Sequence, residues 1–228
     1  MRGVTLEADH LALRAFVACV VSLVLMLADS VAVDAGPKSQ ANAGSANRDG
    51  ATYRGGLVTP PLPKPRFTLT DTAGVPFDFW RETQGYVTLL FFGYARCPDQ
   101  CPLHMANIAV SLKKIPTAVA DQVKVVFVTT DPARDSPPVL RSWLDHFDQR
   151  FIGLTGSEAA IEAAQRAARV PSARTTARTG ADYAVAHASF VLVYTKDNLA
   201  HLIYPSGMTQ EDWAHDLPNL VAEVWSSR

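Results

Sequence analysis

Residues 86–102, YVTLLFFGYARCPDQCP, constrain this chain more than any other stretch. Val87 to Phe92 is a short, continuous apolar run rich in β-branched and aromatic residues, which predicts a buried strand. Gly93 breaks it. From Cys101, LHMANIAVSLKKI predicts a helix, with Leu103, Ile108 and Leu112 among its apolar residues and Lys113 and Lys114 near its end. Cys97 therefore falls where a strand ends and a helix begins. Backbone N–H groups at a helix start favour negative charge. A thiol there is biased towards thiolate, which is both a nucleophile and a soft metal ligand.

A disulfide staple is the plain alternative for two cysteines four positions apart. The chain-entropy relation gives so short a loop only about 2 kcal/mol, against roughly 4.7 kcal/mol for a loop of ~100 residues. A domain with 48% hydrophobic residues can build a core without so weak a staple. Metal binding or electron exchange is the better reading of the pair. The third cysteine, Cys19, lies in an N-terminal apolar stretch, which leaves Cys97 and Cys101 as the thiols of the remainder. A formal net charge of −1 and the lack of a basic, aromatic-interleaved tract argue against a nucleic-acid partner.

Residues 1–35 read as a signal peptide or membrane anchor. Arg2 and Arg14 precede an apolar run over residues 15–28, short of the ~20 residues needed to span a bilayer. Cleavage after Ala32 or Ala35 suits the small residues there. The bulk of the chain is then exported, in a bacterium to the periplasm, where disulfides persist. Residues 36–64 read as a flexible, proline-containing linker, with PPLPKP (residues 60–65) as its stiffer end. Residues 65–228 read as the folded domain.

Within that domain, residues 67–79 predict a hairpin turning at Thr72-Ala73-Gly74. VKVVFVTT (residues 123–130) predicts a second apolar strand, followed by the loop DPARDSPP and a helix begun by its prolines. Ser157 predicts a helix cap. Residues 189–194 and 199–204 predict two strands joined at Asp197-Asn198, and residues 210–225 a last helix. Crossover helices between parallel strands, closed by an antiparallel hairpin, imply an α/β fold: a mixed sheet covered by helices on both faces. Sites in such folds lie at the carboxyl ends of the strands, where Cys97 falls.

Four stretches carry a resemblance: FFGYARCPDQCP (residues 91–102), VTTDPARDSP (128–137), FIGLTGS (151–157) and YAVAHASFVLVY (183–194). In this order and spacing the chain resembles the Sco/SenC family of copper-binding assembly factors for cytochrome c oxidase. The resemblance implies a thioredoxin-like domain over residues 65–228 and a copper ion held by Cys97, Cys101 and His187. It implies a metallochaperone that delivers copper to the binuclear copper site of the oxidase. Its implied partners are the copper-accepting oxidase subunit, a thioredoxin-like reductant and another copper chaperone. The family pattern V-D-H-S is replaced by Val185-Ala186-His187-Ala188, so the histidine is kept and its polar neighbours are lost.

Two thiolates and an imidazole suit copper, and three ligands leave an open position for transfer. His104, three residues after Cys101, would extend the set to a closed zinc cage, but structural zinc spacings usually use paired C-x-x-C or H-x-x-x-H units, which argues against it. An oxidised Cys97–Cys101 pair cannot ligate copper(I), so loading would be gated by redox state. Two other functions compete. A thiol-disulfide oxidoreductase would reduce partner cysteines before metal arrives, although such enzymes usually carry C-x-x-C. A thioredoxin-like peroxidase would need one activated thiolate with a base beside it, and Arg96 adjoins Cys97. Asp131 and Asp135 read either as turn and cap residues or as a charged rim beside the cysteines. His146, His201 and His215 read as solvated or structural, and Trp80, Trp143, Trp213 and Trp225 as core or helix-face residues.

Overall fold

The structure, a computed structural model, describes residues 46–48, 51–176 and 183–225. The expected signal or anchor segment lies outside them. Among the described residues no helix is long and apolar enough to cross a membrane.

An eight-stranded mixed sheet runs in the order β3 (Gly56–Pro63), β12 (Leu199–Tyr204), β11 (Val191–Tyr194), β6 (Val87–Gly93), β7 (Val123–Thr129), β8 (Ile152–Thr155), β4 (Thr68–Asp71), β5 (Pro76–Asp78). At its centre lie β6 (Val87–Gly93) and β7 (Val123–Thr129), parallel, with β8 (Ile152–Thr155) parallel to β7. All seven residues of β6 are buried. Side chains alternate across a strand, and β6 uses this to feed two cores. Leu89 and Phe91 enter one with Met105, Phe127, Leu144 and Trp213; Leu90 and Phe92 enter the other with Phe79, Val128, Leu154 and Ile161. A sheet buried on both faces needs unbroken apolar strands, which is why this run stands out in the sequence.

On one side of β6 the antiparallel pair β11 (Val191–Tyr194) and β12 (Leu199–Tyr204) extends the sheet. Their turn places Asn198 at φ 63°, a left-handed position that asparagine tolerates. On the other side, the hairpin β4 (Thr68–Asp71) and β5 (Pro76–Asp78) joins β8. Asp71 Oδ1 accepts from the Ala73 and Val75 amides, and Gly74 supplies the positive φ of 83° the turn requires.

The helices follow the expected order. After a short turn of helix, α1 (Phe79–Glu82), come α2 (Gln100–Lys114), α3 (Thr117–Ala120), α4 (Pro137–Asp145), α5 (Glu158–Ala167) and α6 (Gln210–Ala222). Ser157 caps α5 through its side chain, accepting from the Ala160 amide. Trp225, expected in the last helix, lies beyond it and packs on Tyr53 and His201.

One segment differs from its sequence reading. Residues 36–64 read as a linker, yet Gly56–Pro63 form β3, the strand at one edge of the sheet, paired with β12. Prolines lack the ladder donor and are tolerated at edges. Two further short strands precede it, β1 (Ala46–Arg48) and β2 (Ala51–Tyr53), paired antiparallel.

Candidate metal centre

The strand-to-helix turn after β6 carries both cysteines. Cys97 is half-buried in the turn, and Cys101 is fully buried in the first turn of α2. The helix starts at Gln100, so Cys97 sits three residues ahead of it rather than at its first position. From the far side comes His187, just after β10 (Val185–Ala186), which pairs with β9 (Arg174–Thr175). The thiols and the imidazole nitrogen all lie within 4.8 Å of one another. His187 Nε2 is 3.4 Å from Cys101 Sγ, while Nδ1 is 2.9 Å from the Ala188 carbonyl. A carbonyl only accepts, so Nδ1 donates to it, and Nε2 faces the sulfurs. The edges of Phe91 and Tyr94 flank the ring, with centroids 5.9 and 5.5 Å away.

The two thiols are electrostatically unequal. Cys97 is lowered to about 4, first by the hydrogen bond from the Cys101 thiol, then by His187 and the Asp99 and Cys101 amides, against the cost of burial. Cys101 is pushed far up, because its proton is the one donated to Cys97 and because it is buried. The pair thus holds one negative charge, on Cys97, with the remaining proton on Cys101. The amides at the helix start do contribute, as expected, but the neighbouring thiol contributes more.

Gly93 makes room for this arrangement. A methyl at its Cα would lie 2.8 Å from Cys101 Sγ and from a Phe91 ring carbon, and 3.1 Å from Phe127. Its φ is not positive, so space rather than backbone conformation demands glycine. Gly-to-Ala in a strand interior ordinarily gains roughly 0.5–1 kcal/mol. Overpacking costs about 1–3 kcal/mol. Gly93→Ala is therefore expected to be destabilising on balance, with a lower urea midpoint at unchanged slope; a midpoint at or above wild type would show that the space is not needed.

His104 does not join the ligand set. It is buried, its ring lies 5.0 Å from that of Phe91, and its Nε2 is 3.2 Å from the Ser189 carbonyl, to which it donates. Among the described residues, only Cys97, Cys101 and His187 form a group able to hold a metal. Asp131 and Asp135 are not an exposed rim: they are 4% and 0% exposed. Nor does either cap α4, which lacks a side-chain cap. Asp135 Oδ2 accepts from the Ala95 amide (2.8 Å) and Thr129 Oγ1 (2.7 Å), so it ties the Cys97 turn to the end of β7. Asp131 Oδ1 accepts from the Tyr183 hydroxyl at 2.7 Å. Charged residues in a loop read as solvated, and only the fold reveals that this loop lies inside. Arg96 is exposed, and no contact places it against the Cys97 sulfur. His146 is exposed, His201 is buried against Asp197, and His215 binds Asp216. Trp213 is fully buried, while Trp80 lies under Arg66.

Residues 59–222 match the family model described as SCO1/SenC. Protein sco1 of Schizosaccharomyces pombe is 30% identical over 133 residues, which are 58% of this chain and 51% of that protein. The chain spans about half the length of the curated relatives it matches. Among solved structures, Bradyrhizobium japonicum ScoI with copper bound is 31% identical, with a TM-score of 0.62, over 70% of this chain and 99% of that one. The apo Sco1 of Thermus thermophilus is also 31% identical, with a TM-score of 0.66, over 74% of this chain and 97% of that one. The thioredoxin-like reading of the sheet and helices is thereby met by solved Sco structures. With a two-sulfur, one-nitrogen cluster at the carboxyl end of its central strand and a family match across most of its length, the chain belongs to the SCO1/SenC family.

Proposed function

We propose that the protein is an exported copper carrier, periplasmic in a bacterium, that binds copper as cargo through Cys97, Cys101 and His187. The delivery target is the copper-accepting subunit of a cytochrome c oxidase during its assembly. The observation that carries this reading is the convergence of two sulfurs and one imidazole nitrogen within 4.8 Å. That donor set fits copper(I), for which thiolate is the preferred ligand, and three donors leave a position through which a partner can take the ion. The copper-bound relative supports the same choice of metal.

The chain's own residues supply two further properties. Cys97 already carries the negative charge a cation needs, and Cys101 releases its proton when metal takes the pair. Joining the Cys97 thiolate to the Cys101 thiol gives up one proton and two electrons to an oxidant and removes both sulfur ligands. Oxidation therefore gates loading, and a thioredoxin-like reductant would be required to reopen the site.

The same asymmetry favours a second reading, thiol-disulfide exchange on a partner's cysteines. Cys97 is the accessible thiolate, suited to attack, and Cys101 is a buried protonated neighbour, suited to resolve the mixed disulfide. Copper(I) titration of the reduced soluble protein separates the two. One copper per chain, weakened in His187→Ala by at least the roughly 10–100-fold that loss of an outer-shell partner costs, and absent after oxidation, is the expected result. No retained copper, with rapid dithiol cycling, would leave the exchange reading alone.

A further inference from the structure

His187 is held by little regular structure. Its strand β10 has two residues and pairs with a two-residue partner, β9. Isolated pairings this short are marginal in water. Side chains hold the segment instead: Thr176 Oγ1 donates to the Ala184 carbonyl at 2.9 Å, and two further contacts, flanking the histidine, tie the segment to the cysteine side of the site. Four residues before it, the Tyr183 hydroxyl donates to Asp131 Oδ1 at 2.7 Å. The other oxygen of Asp131 pairs with Arg134, whose guanidinium lies 3.6 Å over the Tyr183 ring. Two residues after it, the Ser189 carbonyl accepts from His104 Nε2 at 3.2 Å.

Both contacts lead back to the elements that hold the cysteines. His104 is on α2, three residues from Cys101. Asp131 shares its loop with Asp135, which binds the Ala95 amide two residues before Cys97. The Thr130 amide and hydroxyl both donate to the Gly93 carbonyl. The loop of residues 129–135 thus grips the cysteine turn with one carboxylate and the histidine segment with the other. A hydrogen bond to a buried carboxylate is about twice as strong as a neutral one, so Tyr183–Asp131 is the firmer of the two flanking contacts.

We propose that Tyr183 and His104 are positioning residues that clasp the His187 segment from either side and set its Nε2 against the Cys101 sulfur. Neither touches the metal. Asp131 and Arg134 serve the clasp by fixing the Tyr183 ring and hydroxyl. The segment's two alanines, Ala186 and Ala188, offer no side-chain hydrogen bond of their own; the ring is turned by the Ala188 carbonyl, Phe91 and Tyr94, and the clasp fixes the backbone that carries it. This inference rests on the copper reading for its effect on affinity, but the holding of the segment can be measured without metal.

The test uses Tyr183→Phe and His104→Leu, each alone and combined with His187→Ala, in the full exported chain. Two quantities are read: amide hydrogen exchange of the reduced, metal-free protein, and copper(I) affinity by competition with a chromophoric chelator. The expected result is faster exchange confined to residues 184–190, and a copper(I) affinity lowered about tenfold when His187 is present. In the His187→Ala background the same substitutions are expected to cost nothing further. Unchanged exchange overturns the clasp. So does an equal affinity loss with and without His187, which would mark general damage. Should no variant and no wild-type protein retain copper(I) while exchange still accelerates, the copper reading fails and the clasp stands.

Discussion

Cys101→Ala is expected to remove copper(I) retention and to move the Cys97 titration by several pH units. Cys97 is lowered to about 4 chiefly because Cys101 donates a hydrogen bond to its thiolate. Deleting that donor leaves His187 and the helix-start amides, and the titration moves up towards the ordinary ~8.5 of a free thiol. The measurement is the pH profile of Cys97 alkylation in the reduced, metal-free protein. In the wild type the rate is expected to be flat from pH 6 to 8, because the thiolate is already fully formed. In the variant it is expected to climb by up to tenfold per pH unit over that range. The shape decides, not the rate at one pH: a lower-pKa thiolate is also a weaker nucleophile, with a Brønsted slope of about 0.4–0.5, which offsets much of its larger population. A flat profile in Cys101→Ala would mean that His187 and the backbone amides, not the second thiol, create the charge on Cys97.

Asp216→Ala is expected to cost the fold about 2–5 kcal/mol, at roughly 1–3 kcal/mol for each buried donor left without its acceptor. Asp216, on α6, is 0% exposed. Its Oδ2 accepts from the Arg54 amide, the Gly55 amide and the Tyr204 hydroxyl, and its Oδ1 from His215 Nδ1. Removing the carboxylate leaves the buried Gly55 amide and Tyr204 hydroxyl without an acceptor, which is costlier than the loss of one exposed ion pair. For a domain of this size the melting temperature should fall by about 10 °C. Asp216→Asn keeps an acceptor and should lose less. A thermal melt of Asp216→Ala within about 2 °C of wild type would assign these contacts no net contribution.

Asp216 also explains why part of the fold could not be read from the sequence. Nothing in the Gly- and Pro-rich composition of residues 56–63 suggests a strand; β-propensity speaks against it. The segment is a strand because its neighbour β12 offers a ladder and because Asp216 captures the chain just before it, at Arg54 and Gly55. Gly55 also passes so close to Tyr204 that a methyl would lie 2.6 Å from the ring. These are tertiary causes with no local signature. The central strands were legible for the opposite reason: burial on both faces writes itself into an unbroken apolar run such as Val87–Gly93. The turn at Asn198 and the Ser157 cap were legible because their chemistry is local.

The candidate centre divides along the same line. Cys97 and Cys101 announce themselves by spacing and by following a strand. His187 stands 86 residues from Cys101, and only the resemblance singled it out. The parts that were not legible are those that work through shape or through distant partners. Gly93 leaves room for a sulfur, His104 binds a carbonyl on another segment, and Asp131 and Asp135 are loop carboxylates turned inward. Zinc spacing argues against His104 as a ligand but does not show what it binds instead, and reading loop charges as solvated favours another role for the two aspartates, since neither rule knows what packs above these residues.

The two rims of the sheet are proline-bearing: Pro60, Pro61 and Pro63 lie on β3, and Pro76 begins the three-residue β5. An open rim is ordinarily a template on which another polypeptide can zip its backbone. Here the missing N–H groups and the brevity of β5 make both rims poor templates. Copies meeting at high concentration should therefore resist stacking sheet to sheet. Under the proposed carrier function, a recipient that docks by adding a strand would find little purchase, and recognition would fall to the loops around the thiols and the imidazole.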